Sequence, residues 1–132
     1  IDADLVGLKE WHIRRMVDEI TNRGVSMVIG LRDKGNPILN FVMPYFPLNG
    51  GERAFTKEVF DEIIKNPLIV GWGLESVMNE YCKKKGLKVV KIKMDGVDHI
   101  GLQTRKYGLG AFLKEIKDVM ITKLKLMGVR YD

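Results

Sequence analysis

Two carboxylates stand one residue apart at the start of the chain. Asp2 and Asp4 flank a single alanine in an Asp-x-Asp pattern. Oxygen ligands of this kind suit hard divalent cations such as Mg²⁺ and Mn²⁺, which keep coordination sites free for diphosphate oxygens. The pattern is common by chance, and an Asp that caps a helix is the usual explanation when it stands alone. It becomes informative only beside other candidate residues.

The sequence contains two histidines, and their surroundings differ. His99 follows a predicted strand over 87–94 and lies in a glycine-flanked polar segment. His12 lies on the first predicted helix, beside or opposite its apolar face, and is predicted to be a surface residue. Neutral imidazole is a common metal ligand, although an isolated histidine in a loop is more often simply solvated. His99 is therefore the better ligand candidate.

A basic pair follows six residues after His99. Arg105 and Lys106 together would suit a diphosphate, because arginine forms bidentate hydrogen bonds to phosphate and lysine acts as a point charge. A solvated basic surface explains the same pair when it is considered alone.

Another candidate carboxylate begins a predicted helix. Glu75 follows Gly71, Trp72 and Gly73 and lies in the first turn of a helix over 74–85. The helix dipole favours an acidic residue there without any function. The functional alternative is a general base or a hydrogen-bond partner for an acceptor substrate.

Paired glycines precede a third acidic residue. Gly50 and Gly51 allow the backbone to turn sharply or to approach a ligand closely, and Glu52 follows them directly. The proline- and aromatic-rich segment 37–47 just before them is either a loop packed by its own side chains or an acceptor-side loop.

Helices and strands alternate around these residues, which predicts an α/β fold. Apolar residues recur at helical spacing in the first helix, whose predicted inward face carries Ile13, Met16, Val17 and Ile20. Alternation predicts that Ile92 and Met94 face one way in a later strand and Lys91 and Lys93 the other. The predicted elements are helix 9–23, strand 25–31, helix 57–64 after the N-cap Thr56, helix 74–85, strand 87–94, a polar loop 95–108 and a long final helix of about 109–127.

Size and composition limit the function classes. The 132 residues correspond to one domain, and the net charge of +5 suits anionic partners or a solvated lysine-rich face. The single cysteine, Cys82, excludes an internal disulfide, fits a reducing compartment and shares a helical face with Met78, so it is predicted to fill the core. A cytoplasmic location follows as an expectation.

Four motifs occur in one order along the chain. They are Asp2-Ala3-Asp4, Gly51-Glu52-Arg53-Ala54, Gly71-Trp72-Gly73-Leu74-Glu75 and Val97-Asp98-His99. Their order and spacing resemble those of GT-A-fold glycosyltransferases of the family-2 kind, glucosyl-3-phosphoglycerate synthases among them. The resemblance extends from Asp2 to the last helix. It implies that residues 1–132 form the C-terminal half of a GT-A domain, with the nucleotide-binding N-terminal half absent or on a partner chain.

The resemblance also implies roles for individual residues. Asp4 and His99 would bind Mg²⁺ or Mn²⁺, and Asp2 would lie near the nucleotide ribose. Gly50, Gly51 and Glu52 would lie beside the sugar and the acceptor, Arg105 and Lys106 would contact the diphosphate, and Glu75 matches an acidic position on the acceptor side. The expected reaction transfers a sugar from a nucleotide-diphosphate sugar to an acceptor, which is a lipid phosphate, a phosphoglycerate or a glycan. The stereochemistry, retaining or inverting, stays open.

A second function class fits the final helix. Lys114, Lys117, Lys123 and Lys125 would suit an anionic membrane surface, and the same helix could pair with a second copy of the chain. A non-catalytic assembly or membrane-surface interaction module derived from the same fold is therefore the alternative. Nucleic-acid binding is not expected, because the lysine-rich strand lacks the exposed aromatic residues that such surfaces use.

Overall fold

The computed structural model describes residue 1, residues 5–32, 52–69 and 73–99, and residues 117, 121, 124 and 125. Each helix and strand predicted within the three ranges is present, with ends shifted by no more than two residues. The α/β class is thus confirmed. In chain order the elements are β1 (Leu5–Val6), α1 (Glu10–Arg23), β2 (Met27–Arg32), β3 (Arg53–Phe55), α2 (Lys57–Ile63), α3 (Gly73–Lys84), β4 (Val89–Met94) and β5 (Asp98–His99).

The strand β2 is the centre of the main sheet in the described ranges. It pairs in parallel with β4, from Met27 opposite Val89 to Arg32 opposite Met94, and antiparallel with β3. Its first four residues are buried, which explains an almost unbroken apolar run instead of an alternating one. The carboxyl ends of β2 and β4 therefore meet at one edge of the sheet.

Helices cover the two faces of this sheet. Val28 and the buried face of β4 pack with Met16 of α1 in one apolar cluster. On the opposite face, Met27 and Ile29 pack against α2 and α3 in a second cluster. The alternation predicted for β4 is confirmed, since Ile92 and Met94 are buried while Lys91 and Lys93 are exposed.

The buried face of α1 differs from the predicted apolar stripe. Met16 is buried as expected, but Ile13 is 39% exposed and Val17 is 45% exposed. His12 and Glu19 lie inward instead. The prediction that His12 is a surface residue is wrong. The reason is hydrogen bonding, because a histidine whose two ring nitrogens both have partners can be buried at little cost. The face of α1 that carries His12 therefore lies against the core.

The helices α2 and α3 bury one face each. The buried residues of α3 include Val77, Met78, Tyr81 and Cys82, and Cys82 fills the core as predicted. Burial raises the pKa of its thiol, which keeps Cys82 protonated and unreactive. Three apolar residues of this region are nevertheless exposed: Phe60 of α2, Ile64 directly after it and Leu74 of α3.

Two predicted segments lie largely outside the described residues. The loop 37–47 lies wholly outside, and of the final helix only residues 117, 121, 124 and 125 are described, all of them helical. Leu124 is 66% exposed, although the apolar spacing of this helix in the sequence places it on the same predicted stripe as Leu113, Ile116, Met120 and Met127. Among the described helices, none combines the length and the apolar composition that a bilayer crossing requires.

Candidate functional site

The short strand pair β1–β5 joins the two segments that carry the predicted metal ligands. Leu5 lies opposite His99 and Val6 opposite Asp98, in antiparallel register. Asp4 directly precedes Leu5 in the sequence. Asp2, Asp4 and the side chain of His99 lie outside the described part of the structure. The prediction of a polar loop over 95–108 is wrong at 98–99, because these residues form β5. Its partner β1 is distant in the sequence, so no local pattern could predict the pairing.

The two backbones touch at the end of this pair. Gly7 and Gly96 both have positive φ, 79° and 74°. A Cβ atom on Gly7 would lie 2.0 Å from the carbonyl oxygen of Gly96. Only glycine at position 7 allows this approach. Val97, the next residue after the contact, is fully buried and anchors the segment in the core.

His12 connects the same two segments through its ring. Nδ1 accepts a hydrogen bond from the backbone N–H of Lys9 at 3.0 Å. Nε2 lies 3.1 Å from the carbonyl oxygen of Asp95, and because a carbonyl can only accept, Nε2 carries the hydrogen. The side chain is 1% exposed. The first bond also satisfies the backbone N–H of Lys9, the N-cap residue of α1.

A buried ion pair lies at the carboxyl end of β2. The Nε atom of Arg32 is 3.2 Å from Oε2 of Glu52. Glu52 is 0% exposed, and its backbone oxygen accepts a hydrogen bond from Gly30 N at 2.8 Å. Within the described structure, neither carboxylate oxygen of Glu52 makes a well-formed hydrogen bond. A buried carboxylate with only an ion pair keeps unused acceptor capacity.

Arg53 links β3 to the helix that begins near Glu75. Its Nη1 donates a hydrogen bond to Oδ1 of Asn79 at 2.8 Å. Burial lowers the pKa of the guanidinium, while the negative charges of Glu75 and, more weakly, Glu52 raise it. Glu75 lies one helical turn before Asn79, so the same face of α3 presents both to Arg53. The structure thus brings Glu52 and Glu75 within the field of one buried cation.

Arg53 is a site residue that the sequence does not single out. Two observations in the sequence point to it in retrospect: an arginine within an otherwise apolar strand, and a Glu–Asn pair four residues apart on a helix. Neither indicates that the strand and the helix meet. The other predicted site residues, Gly50, Gly51, Arg105 and Lys106, lie outside the described residues.

The site elements converge on one edge of the sheet. Because β2 and β4 are parallel, Arg32 and Met94 are paired at their carboxyl ends, and Asp95 follows at once. Ligands of open α/β sheets bind outside this edge. In the described ranges no group of three or more acidic, histidine or cysteine side chains could hold a metal ion. An aspartate carboxylate and a histidine imidazole, the side-chain types at residues 4 and 99, are donors that suit Mn²⁺ or Mg²⁺.

Comparison with known proteins supports the fold. No protein-family model matches the sequence, and a search of curated proteins finds no match. Solved structures of glucosyl-3-phosphoglycerate synthase from Mycobacterium tuberculosis are similar. The structure with phosphoglyceric acid has a TM-score of 0.70 at 20% identity. Those with Mn²⁺, UDP and glucosyl-3-phosphoglycerate, and with Mn²⁺, UDP-glucose and phosphoglyceric acid, have TM-scores of 0.66 and 0.65 at 20% and 21% identity.

The extent of the match is unequal in the two proteins. These superpositions cover 100% of this chain and 50% of the synthase chain. The chain therefore has the mixed α/β fold of part of a GT-A glycosyltransferase, as the sequence predicts, and spans half the length of the structures it matches.

Proposed function

We propose that this chain forms part of a metal-dependent glycosyltransferase that moves a sugar from a nucleotide-diphosphate sugar to an acceptor. The observation that carries the proposal is the β1–β5 register, in which the residue after Asp4 lies opposite His99. The proposal is supported by the fold match between the whole of this chain and half of the synthase chain, in structures that contain Mn²⁺ with UDP or UDP-glucose.

Asp4 and His99 would hold Mg²⁺ or Mn²⁺ in this proposal, with Asp2 beside the nucleotide ribose. A bound divalent ion supplies positive charge that stabilises the departing nucleoside diphosphate. Arg105 and Lys106 add charge-assisted hydrogen bonds to the same diphosphate. The strand pair supports this arrangement, since it holds Leu5, the residue after Asp4, opposite the backbone of His99.

Glu52 would lie beside the sugar and the acceptor, and Glu75 would contact the acceptor. The carboxylate of Glu52 is fully buried, so its negative charge would act on them without direct contact, while Gly50 and Gly51 would let the backbone approach them. An adjacent guanidinium stabilises a charged carboxylate, so Arg53 favours Glu75 as a hydrogen-bond acceptor for a hydroxyl over Glu75 as a proton-abstracting base. Among the acceptor classes, a phosphoglycerate draws support from the synthase structures with phosphoglyceric acid.

Binding of UDP tests the proposal without requiring turnover. By isothermal titration calorimetry, UDP is expected to bind in the presence of Mn²⁺ and to lose affinity when EDTA is added. Replacing Arg105 or Lys106 by alanine should weaken binding about 10- to 100-fold, the equivalent of one hydrogen bond to a charged group.

A surface lysine provides the matched control for this experiment. Lys57 is exposed and pairs with Asp61 on α2, away from the proposed site. Lys57→Ala removes the same charge and should leave UDP affinity unchanged. Affinity that does not depend on Mn²⁺, or that falls equally in Lys57→Ala, would count against the proposed function and in favour of non-specific charge attraction.

A further inference from the structure

We propose that His12 is a positioning residue, which holds β1 and β5 in register and so sets the distance between the two segments of the metal site. We call the two hydrogen bonds from the His12 ring to the backbone of Lys9 and Asp95 the clamp, and both lie within the described residues. Its consequence for metal binding rests on the proposed function.

The clamp acts on both segments at equivalent places. Lys9 lies three residues after β1 ends at Val6, and Asp95 lies three residues before β5 begins at Asp98. The imidazole bonds to the backbone of each, at 3.0 Å and 3.1 Å. A single rigid ring therefore fixes the spacing between the chain that leaves β1 and the chain that enters β5.

The strand pair needs such support. Two strands of two residues each make too few ladder hydrogen bonds to be stable alone. The Gly7–Gly96 contact and the buried side chain of Val97 hold the segments on one side. His12 ties the strand pair to α1, which packs on the sheet through Met16. The helix is thereby the rigid support on which the candidate ligands depend.

Replacing His12 removes both hydrogen bonds at once. The ring is 1% exposed, so an apolar residue can keep the packing while the Lys9 N–H and the Asp95 carbonyl lose this partner. Outer groups that hydrogen-bond to metal ligands typically change metal affinity 10- to 100-fold when removed. The bonds of His12 go to the backbone of the flanking segments, so a loss of up to about tenfold is expected here.

Hydrogen exchange of backbone amides measures the clamp without any metal. In the His12→Leu variant, exchange at residues 5–7 and 97–99 should rise about tenfold or more relative to exchange at β2, as expected for two lost hydrogen bonds. Met16→Ala is the matched control, since it removes a buried side chain from the same helix. It should raise exchange at β2 and at the strand pair together. An equal rise in both regions for His12→Leu would overturn the proposal.

Two further variants keep the test decisive if His12→Leu does not fold. Glutamine at position 12 can accept from Lys9 N and donate to Asp95 O, so His12→Gln should stay close to wild type. Glutamate keeps the acceptor but has no hydrogen for Asp95 O, so His12→Glu should show the selective rise. Identical exchange in these two variants would contradict the clamp.

Mn²⁺ titration then measures the consequence for the metal site. Affinity should fall in His12→Leu or His12→Glu, stay near wild type in His12→Gln, and change little in Met16→Ala once the folded fraction is matched. Selective exchange with unchanged Mn²⁺ affinity would overturn the positioning role. Failure of the wild-type chain to bind Mn²⁺ would instead contradict the proposed function, and the exchange data would still decide whether the clamp exists.

Discussion

A Gly7→Ala variant is expected to lose the β1–β5 pairing and to unfold at lower urea concentration than wild type. The φ of 79° alone costs a side-chain-bearing residue roughly 1–2 kcal/mol. The added Cβ would also lie 2.0 Å from the Gly96 carbonyl oxygen, a backbone atom that cannot move aside without separating the strands. Overpacking of this kind adds about 1–3 kcal/mol. Urea unfolding followed by circular dichroism gives the free energy of unfolding.

Gly24→Ala is the control, because Gly24 has the same kind of backbone without the contact. Its φ is 63°, and a Cβ there would meet nothing within 4 Å. It should therefore show only the conformational cost. Equal destabilisation in the two variants would mean that the close approach of Gly7 and Gly96 places no steric constraint on residue 7.

An Arg53→Leu variant is expected to be destabilised by about 2–4 kcal/mol. This is less than the full cost of removing one charge from a buried pair, because Glu75, whose charge acts on Arg53, is only partly buried. The substitution removes the bond to Asn79 and the positive charge between Glu52 and Glu75. The remaining carboxylates then lie in a partly desolvated site with less compensation. Thermal and urea unfolding, compared at one protein concentration, measure the loss.

The same substitution at an exposed arginine separates burial from charge. Arg14 forms an ion pair with Glu10 on α1, and both side chains are about three-quarters exposed, at 76% and 75%. Arg14→Leu should change the free energy of unfolding by less than ~1 kcal/mol. A loss in Arg53→Leu no larger than in Arg14→Leu would show that Arg53 does not join β3 to α3.

Local periodicity explains which parts of the fold are predictable from sequence. The alternation of β4 depends on the residues of that strand alone, and it is confirmed; the shared inward face of Met78 and Cys82 on α3 is confirmed in the same way. The inward face of α1 is not predictable in this way, because a hydrophobic pattern treats His12 as polar. Its burial depends on the Asp95 carbonyl, 83 residues away.

In the candidate site, too, local sequence features are predictable and tertiary contacts are not. Asp2-x-Asp4 and His99 are recognisable from residue type and motif order, but the two-residue pairing that places Leu5 opposite His99 joins segments that are distant in the sequence. The role of Arg53 depends on Asn79, 26 residues further on. Residue types can thus suggest the chemistry of the site, whereas the contacts that position it are tertiary and carry no local pattern.

Titration of Mn²⁺ into the wild-type chain and into Asp4→Ala and His99→Ala shows whether these two residues share one metal ion. We expect saturable binding at one site that each substitution weakens, with circular dichroism showing that all three proteins are equally folded. Mn²⁺ binding that is the same in the wild-type chain and in both variants would contradict the claim that the β1–β5 pairing unites two metal ligands.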